Sequence, residues 1–186
     1  MSQVDDLIKA YEAFVGLPWQ SGLAPAQRVW MLTYPPEMER RVRLRVKDFE
    51  IATRRAKHEW AEIDLTGKFE SWMASHEYRE EYFRDPELLE TSLPSFVEAL
   101  TQAIRGELLS AHDENGVVAV IGAGSLFGLG DEAKVSAVIN NIADTVGGRL
   151  LVFFPGSHEG NSYRLLDARD GWNYLAVPIS AQGGRR

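Results

Sequence analysis

The sequence predicts a single α/β domain whose largely parallel sheet carries helices on both faces. Three observations point there. Residues 117–121 (VVAVI) and 150–154 (LLVFF) are uninterrupted apolar runs, the pattern of strands buried on both sides. Between them Val135, Val138, Ile139, Ile142 and Val146 form one helical stripe, so strand, helix and strand alternate as in a parallel crossover. The 186 residues, 45% hydrophobic and 25% charged, suit one ordinary globular domain.

In chain order, residues 3–15 read as a helix with Val4, Leu7, Ile8, Tyr11 and Val15 on one face, stopped by Gly16-Leu17-Pro18. Residues 28–34 read as a first strand ended by Pro35-Pro36, and 37–57 as a second helix using Met38, Val42, Phe49 and Ile51 as its apolar positions. A strand follows at 60–65. Residues 68–112 are helical in pieces, broken at Asp85-Pro86 and Leu93-Pro94, and longer than a crossover needs, which predicts a helical insertion. After the strand at 117–121, Asp131 lies near the start of the helix and Gly147-Gly148 end it. The strand at 150–154 closes on Pro155-Gly156. Residues 163–167 and 172–179 read as a hairpin or two short strands around Arg169-Asp170-Gly171. Residues 181–186 read as a frayed tail.

Composition excludes several classes. The chain has no cysteine, which removes thiol catalysis, disulfides and thiolate metal sites. A net charge of −7 argues against coating duplex nucleic acid, which needs many phosphate-neutralising cations. Two early aspartates argue against a signal peptide. The longest uncharged stretch, around 115–129, is glycine-rich and too short to cross a bilayer. The expectation is a cytoplasmic protein.

In open α/β sheets ligands sit beyond the carboxyl ends of strands, so each strand end is a candidate site. The turn after VVAVI is Gly122-Ala-Gly-Ser-Leu-Phe-Gly128. A phosphate-binding loop needs a lysine after its last glycine, and the first lysine here is Lys134. Gly122, Gly124 and Gly128 form G-x-G-x-x-x-G between strand and helix, a geometry that lets a pyrophosphate approach helix-start N–H groups. The acid that would hold a ribose is missing, because the next strand closes on Phe153-Phe154-Pro155. The core thus reads as a degenerate nucleotide-binding-like one, with Gly122, Gly124 and Ser125 as its candidate ligand positions beside the simpler reading of a tight turn. Ser125 lacks the G-x-S-x-G setting of a nucleophile and reads as a helix-start cap. No catalytic residue and no cofactor is expected.

The other polar groups give little. His58, His76, His112 and His158 are scattered, and His76 with Glu80 makes two ligands, not a metal site. Asp64 ends a strand and reads as a cap for the next helix. Residues 37–57 carry eight cations against four acids, a possible nucleic-acid footprint or a solvated helix face. Aromatics stand near turns beside Arg164 and Arg169, a composition shared by interface centres and ordinary packing. Taken as a docking rim, the strand ends offer Tyr34, Phe127, Asn161, Tyr163, Arg164, Arg169 and Trp172.

Several stretches carry a family resemblance: LPW at 17–19, QRVW at 27–30, YPP at 34–36, DLT at 64–66, SWMASHEYREEYF at 71–83, VIGAGSLFG at 120–128 and LLVFFPGSHEGNSYRLLDARDGWNYLAVPI at 150–179. Together they resemble the small B component of BREX, the bacteriophage exclusion system, a family also described as a domain of unknown function. The resemblance runs from the first helix to Ile179. It implies a non-catalytic adaptor in bacterial anti-phage defence, beside a methyltransferase, a large ATPase, a Lon-like protease and a PglZ-type phosphatase-fold protein. The PglZ-type protein is the first expected partner. No catalytic residues carry over from the family. A degenerate nucleotide- or nucleic-acid-binding domain of the same system is the alternative.

Overall fold

A computed structural model describes residues 2–130, 133–168 and 171–181. Helix α1 (Gln3–Val15) opens on a capping box. The Ser2 hydroxyl accepts from the Asp5 N–H at 3.3 Å, and the Asp5 carboxylate accepts from the Ser2 N–H at 3.0 Å. Strand β1 (Val29–Tyr34) follows, then α2 (Glu39–Arg43), α3 (Val46–Arg55) and strand β2 (Glu59–Asp64). The helical insertion supplies α4 (Lys68–Ser75), α5 (Arg79–Arg84), α6 (Glu87–Glu90) and the long α7 (Leu93–Ser110). Strand β3 (Gly116–Ile121), helix α8 (Val135–Ile142), strand β4 (Arg149–Glu159) and three short strands, β5 (Ser162–Leu165), β6 (Trp172–Asn173) and β7 (Val177–Ile179), complete the order.

The seven strands form one open, mixed sheet; five lie in the order β2–β3–β4–β1–β7, and β5 and β6 branch from β4 off this path. Neighbours along this path run parallel, with Met31 opposite Val152 and Val118 opposite Leu150. The pairings of β5 with β4 and of β6 with β5 are antiparallel. β1 and β3 are buried along their whole length; the unbroken apolar run of β3 reads as a strand covered on both faces, while β1 buries Thr33 as well. The edges differ. β2 exposes Glu59 and Asp64, and β7 contains Pro178; charges and proline are the usual protection of a free edge.

Helices cover both faces. On one, Leu7 and Tyr11 of α1 and Phe49 of α3 pack on Trp30, Leu151 and Phe153. On the other, Phe96 and Ile104 of α7 and Ile139 of α8 pack on Met31, Val120 and Val152. No helix among the described residues is long and apolar enough to cross a membrane.

Three local expectations change. The helix expected over 37–57 is divided at Leu44–Arg45. No proline or glycine stands at the break; the Arg45 backbone leaves helical geometry there, and its guanidinium pairs with Asp5 of α1 and with Asp48. Ile51 is 40% exposed, and Val46 and Ala52 fill the core in its place. Pro155-Gly156 do not end β4. They mark where it leaves the parallel sheet, Pro155 standing opposite Tyr34 and Gly156 opposite Leu165. A Cβ on Gly156 would lie 2.0 Å from the Arg164 carbonyl oxygen, so only glycine lets β5 approach. Lastly, residues 172–179 split: β6 joins the hairpin while β7 returns to the edge beside β1. Asp131 and residues 169–170 and 182–186 lie outside the described residues.

Candidate functional site

The carboxyl ends of β3 and β4 are where an open α/β sheet offers a site. Here β4 does not stop at the sheet edge but continues into its hairpin with β5 and β6, so the chain itself occupies much of that space. What remains is a cleft of about 600 Å³ between this hairpin and the start of α8. Phe127, Phe154, Tyr163 and Trp172 form its walls, with Lys134 and Ser136 at the end nearest α8. The rings brace one another. Tyr163 stands 6.0 Å from Phe154, edge to face, and Trp172 stacks on Tyr174 at 4.4 Å.

The expected docking residues separate by burial. Phe127 is 45% exposed, Trp172 is half-buried, and Asn161 and Arg164 are exposed; these can meet a partner. Tyr163 is buried, donating from its hydroxyl to the Ala176 carbonyl at 3.1 Å, and burial pushes its phenol up to about 12. It supports the cleft from beneath. Tyr34 is also buried and lies away from the cleft. Its hydroxyl donates to Glu39 Oε2 at 2.5 Å, and burial raises its pKa, helped by the Glu39 carboxylate. Neither ring is a surface contact. Arg169 lies outside the described residues.

The glycine turn departs from a phosphate site. Gly122 sits at φ +77°, and an added Cβ would come within 2.4 Å of Thr66 Oγ1 and 2.8 Å of Asp64 Oδ1. The space above this glycine is therefore filled by the chain's own side chains, one of them a carboxylate. Residues 123–126 make a tight 3-10 turn, and α8 starts only at Val135, so its first N–H groups do not follow directly on Gly122. Ser125 is not a helix cap. Its hydroxyl donates to the Gly122 carbonyl at 2.7 Å and stands 3.2 Å from the Leu65 carbonyl. A Cβ on Gly124 would meet Pro155 Cγ at 3.6 Å, an ordinary contact, so space alone does not demand glycine there.

Asp64 likewise caps no helix, because α4 is preceded by Gly67 without a side-chain cap. Its Oδ1 accepts from the Thr66 N–H at 2.9 Å, and its Oδ2 accepts from Arg43 Nη2 at 2.8 Å. Arg43 Nη1 reaches Thr66 Oγ1 at 2.6 Å. Partial burial pushes the Asp64 carboxyl up, but the Thr66 donors and the Arg43 guanidinium outweigh it and hold the group below its ordinary value. This clamp ties α2 to the ends of β2 and β3. The D-x-T spacing was its visible signal; nothing local singled out Arg43 from its neighbouring arginines.

The remaining polar residues are structural too. His158 Nδ1 lies 3.0 Å from Thr33 Oγ1, and burial lowers its pKa. His58 stacks on Trp19 at 3.7 Å. His76 ends α4 while Glu80 belongs to α5, so they share no helix face. Among the described residues no group of three or more His, Asp or Glu is placed to hold a metal. The cations of 37–57 are largely engaged. Arg45 pairs with Asp5 and Asp48, Lys47 and Arg54 with Glu50, and Arg55 with Glu12. Sequence reasoning missed Arg149, which is buried at the opposite end of β4, over the Trp19 ring at 4.7 Å and donating to the Gln20 carbonyl at 2.8 Å.

The fold is an open α/β domain with an aromatic-lined cleft at its strand ends, and Asp64 and Ser125 beside it are committed to internal hydrogen bonds. No protein-family model, curated protein or solved structure matches the chain.

Proposed function

We propose that the protein is a non-catalytic docking component of a BREX-type bacterial anti-phage defence system, acting in the cytoplasm by binding another component, the PglZ-type protein first. The stretches resembling the BREX small B component supply the biological setting. The observation that carries the mode of action is the composition of the cleft. Phe127 and Trp172 supply its accessible aromatic surface, braced from beneath by the buried Phe154 and Tyr163, with the exposed Arg164 on β5, while the hydroxyl and carboxylate at the neighbouring strand ends are spent on internal hydrogen bonds. Braced aromatics with an arginine close by are the composition of interface centres.

Two substitutions test this in cells. Trp172→Ala and Phe127→Ala remove cleft surface without touching a hydrogen bond given above. Each variant, at wild-type protein level and melting temperature, should abolish phage restriction. Full restriction by both would rule out the cleft as the contact.

The second reading, a degenerate nucleotide- or nucleic-acid-binding domain, draws on Lys134 and the first turn of α8 at one end of the cleft, and on Arg40 and Arg41 of the basic segment. A ligand that binds only the folded state at a hundred times its Kd adds about 2.7 kcal/mol of stability. Melting curves with mono- and dinucleotides, and gel shifts at low salt, decide it. Flat curves and no shift remove it.

A further inference from the structure

The helical insertion carries a surface that the cleft does not explain. Tyr78, Phe83 and Leu88 are 52%, 72% and 45% exposed. Single exposed apolar residues are ordinary on a protein surface, but here three large ones fall within eleven residues, from Tyr78 just before α5 to Leu88 in α6. Interspersed with them along the chain, and exposed, are Glu77, Glu80, Glu81, Asp85, Glu87 and Glu90, against Arg79 and Arg84. Six acids against two bases give residues 76–90 a charge of −4, out of −7 for the whole chain. One weak ion pair joins them, Arg79 Nε to Glu80 Oε1 at 3.7 Å. Glu77, Glu81, Glu87 and Glu90 form no ion pair among the described residues. The segment is also thinly anchored. Tyr82 is its one buried residue, its hydroxyl 2.7 Å from Ser92 Oγ.

We infer that α5–α6 is a second docking surface, and that its occupant is a protein surface whose apolar contact is ringed by lysine or arginine. An apolar partner contact would cover Phe83 and Leu88, and a basic ring would meet the unpaired glutamates. A neutral or acidic partner would instead desolvate these carboxylates without compensation. The cleft is walled by aromatics with Lys134 at one end, so the two surfaces favour different partners.

The test uses the whole protein and a defined probe, a synthetic amphipathic helix of leucine and lysine about 18 residues long, or five turns. Backbone amide shifts are followed as the peptide is added, beside a leucine–glutamate control. The expected result is perturbation concentrated in residues 76–92 and none from the control. Affinity should fall at least about tenfold in the Phe83→Ser, Leu88→Ser double variant, and similarly at about 0.3 M salt, where charge attraction is screened within a few ångströms. No binding, shifts centred on Trp172, or affinity unchanged in the double variant would overturn the assignment. Sedimentation of the protein alone excludes the chain's own basic segment, where Leu44 is exposed beside Arg40 and Arg41, as the occupant. A dimer that Phe83→Ser dissolves would overturn the foreign partner in favour of a second copy.

Discussion

At the scale of single residues, shape governs the strand ends. Gly122 is left-handed, with Thr66 and Asp64 where a Cβ would go. Gly122→Ala combines the cost of that backbone conformation with overpacking against a fixed clamp. It should destabilise the protein by about 2–4 kcal/mol, read as a lower urea midpoint at unchanged slope. Buried hydroxyls make a smaller prediction. Thr53 donates to the Phe49 carbonyl at 2.8 Å, so in its 2.6 Å contact with Tyr11 the tyrosine is the donor. Tyr11→Phe leaves Thr53 still donating and should cost about 1 kcal/mol. Glycine at 122 was legible as a shape requirement, because a tight strand-to-helix turn asks for it. The burial of Tyr34 and Tyr163 was not legible. Whether a tyrosine beside a turn faces water depends on packing and on which neighbour supplies an acceptor: for Tyr163 it is the Ala176 carbonyl, thirteen residues on, and for Tyr34 it is Glu39, reached only because a 3-10 turn at Pro36–Met38 folds the chain back.

At the scale of elements, two depressed carboxyls predict an acid response. The Ser2 N–H and hydroxyl, then Arg45, hold Asp5 at about 2 against an ordinary 3.8. Asp64 is also held low by its clamp. A carboxyl depressed in the folded state adds stability that is complete above its unfolded pKa and disappears as pH falls through its folded one. Melting temperature should therefore drop steadily from about pH 4 toward pH 2. Asp64→Asn should be less stable than wild type near neutrality and lose less on acidification. Parallel pH curves for the two proteins would contradict the clamp. The helices and strands themselves were largely readable, since periodicity and unbroken apolar runs are local signals. The division at Leu44–Arg45 and the continuation of β4 through Pro155-Gly156 were not: no proline or glycine marks the first, and the second depends on the approach of β5.

At the scale of the whole molecule, the sheet's carboxyl end is the position where folds of this class place ligands, and here the chain fills it with its own hairpin. Sequence reasoning could see that the lysine after the glycine turn and the acid after LLVFF are missing. It could not see that β4 and β5 build an aromatic cleft there, since that depends on a strand running past its sheet. The proposed role of this cleft is to dock a defence partner. Co-purification of tagged protein with each BREX component, the PglZ-type protein foremost, tests it most directly. A stable binary complex is expected, and Trp172→Ala should weaken it by about 2 kcal/mol or more, roughly thirtyfold in Kd, as for an aromatic anchor buried in an interface. No complex with any component, or one of undiminished affinity with both Phe127 and Trp172 truncated, would contradict it.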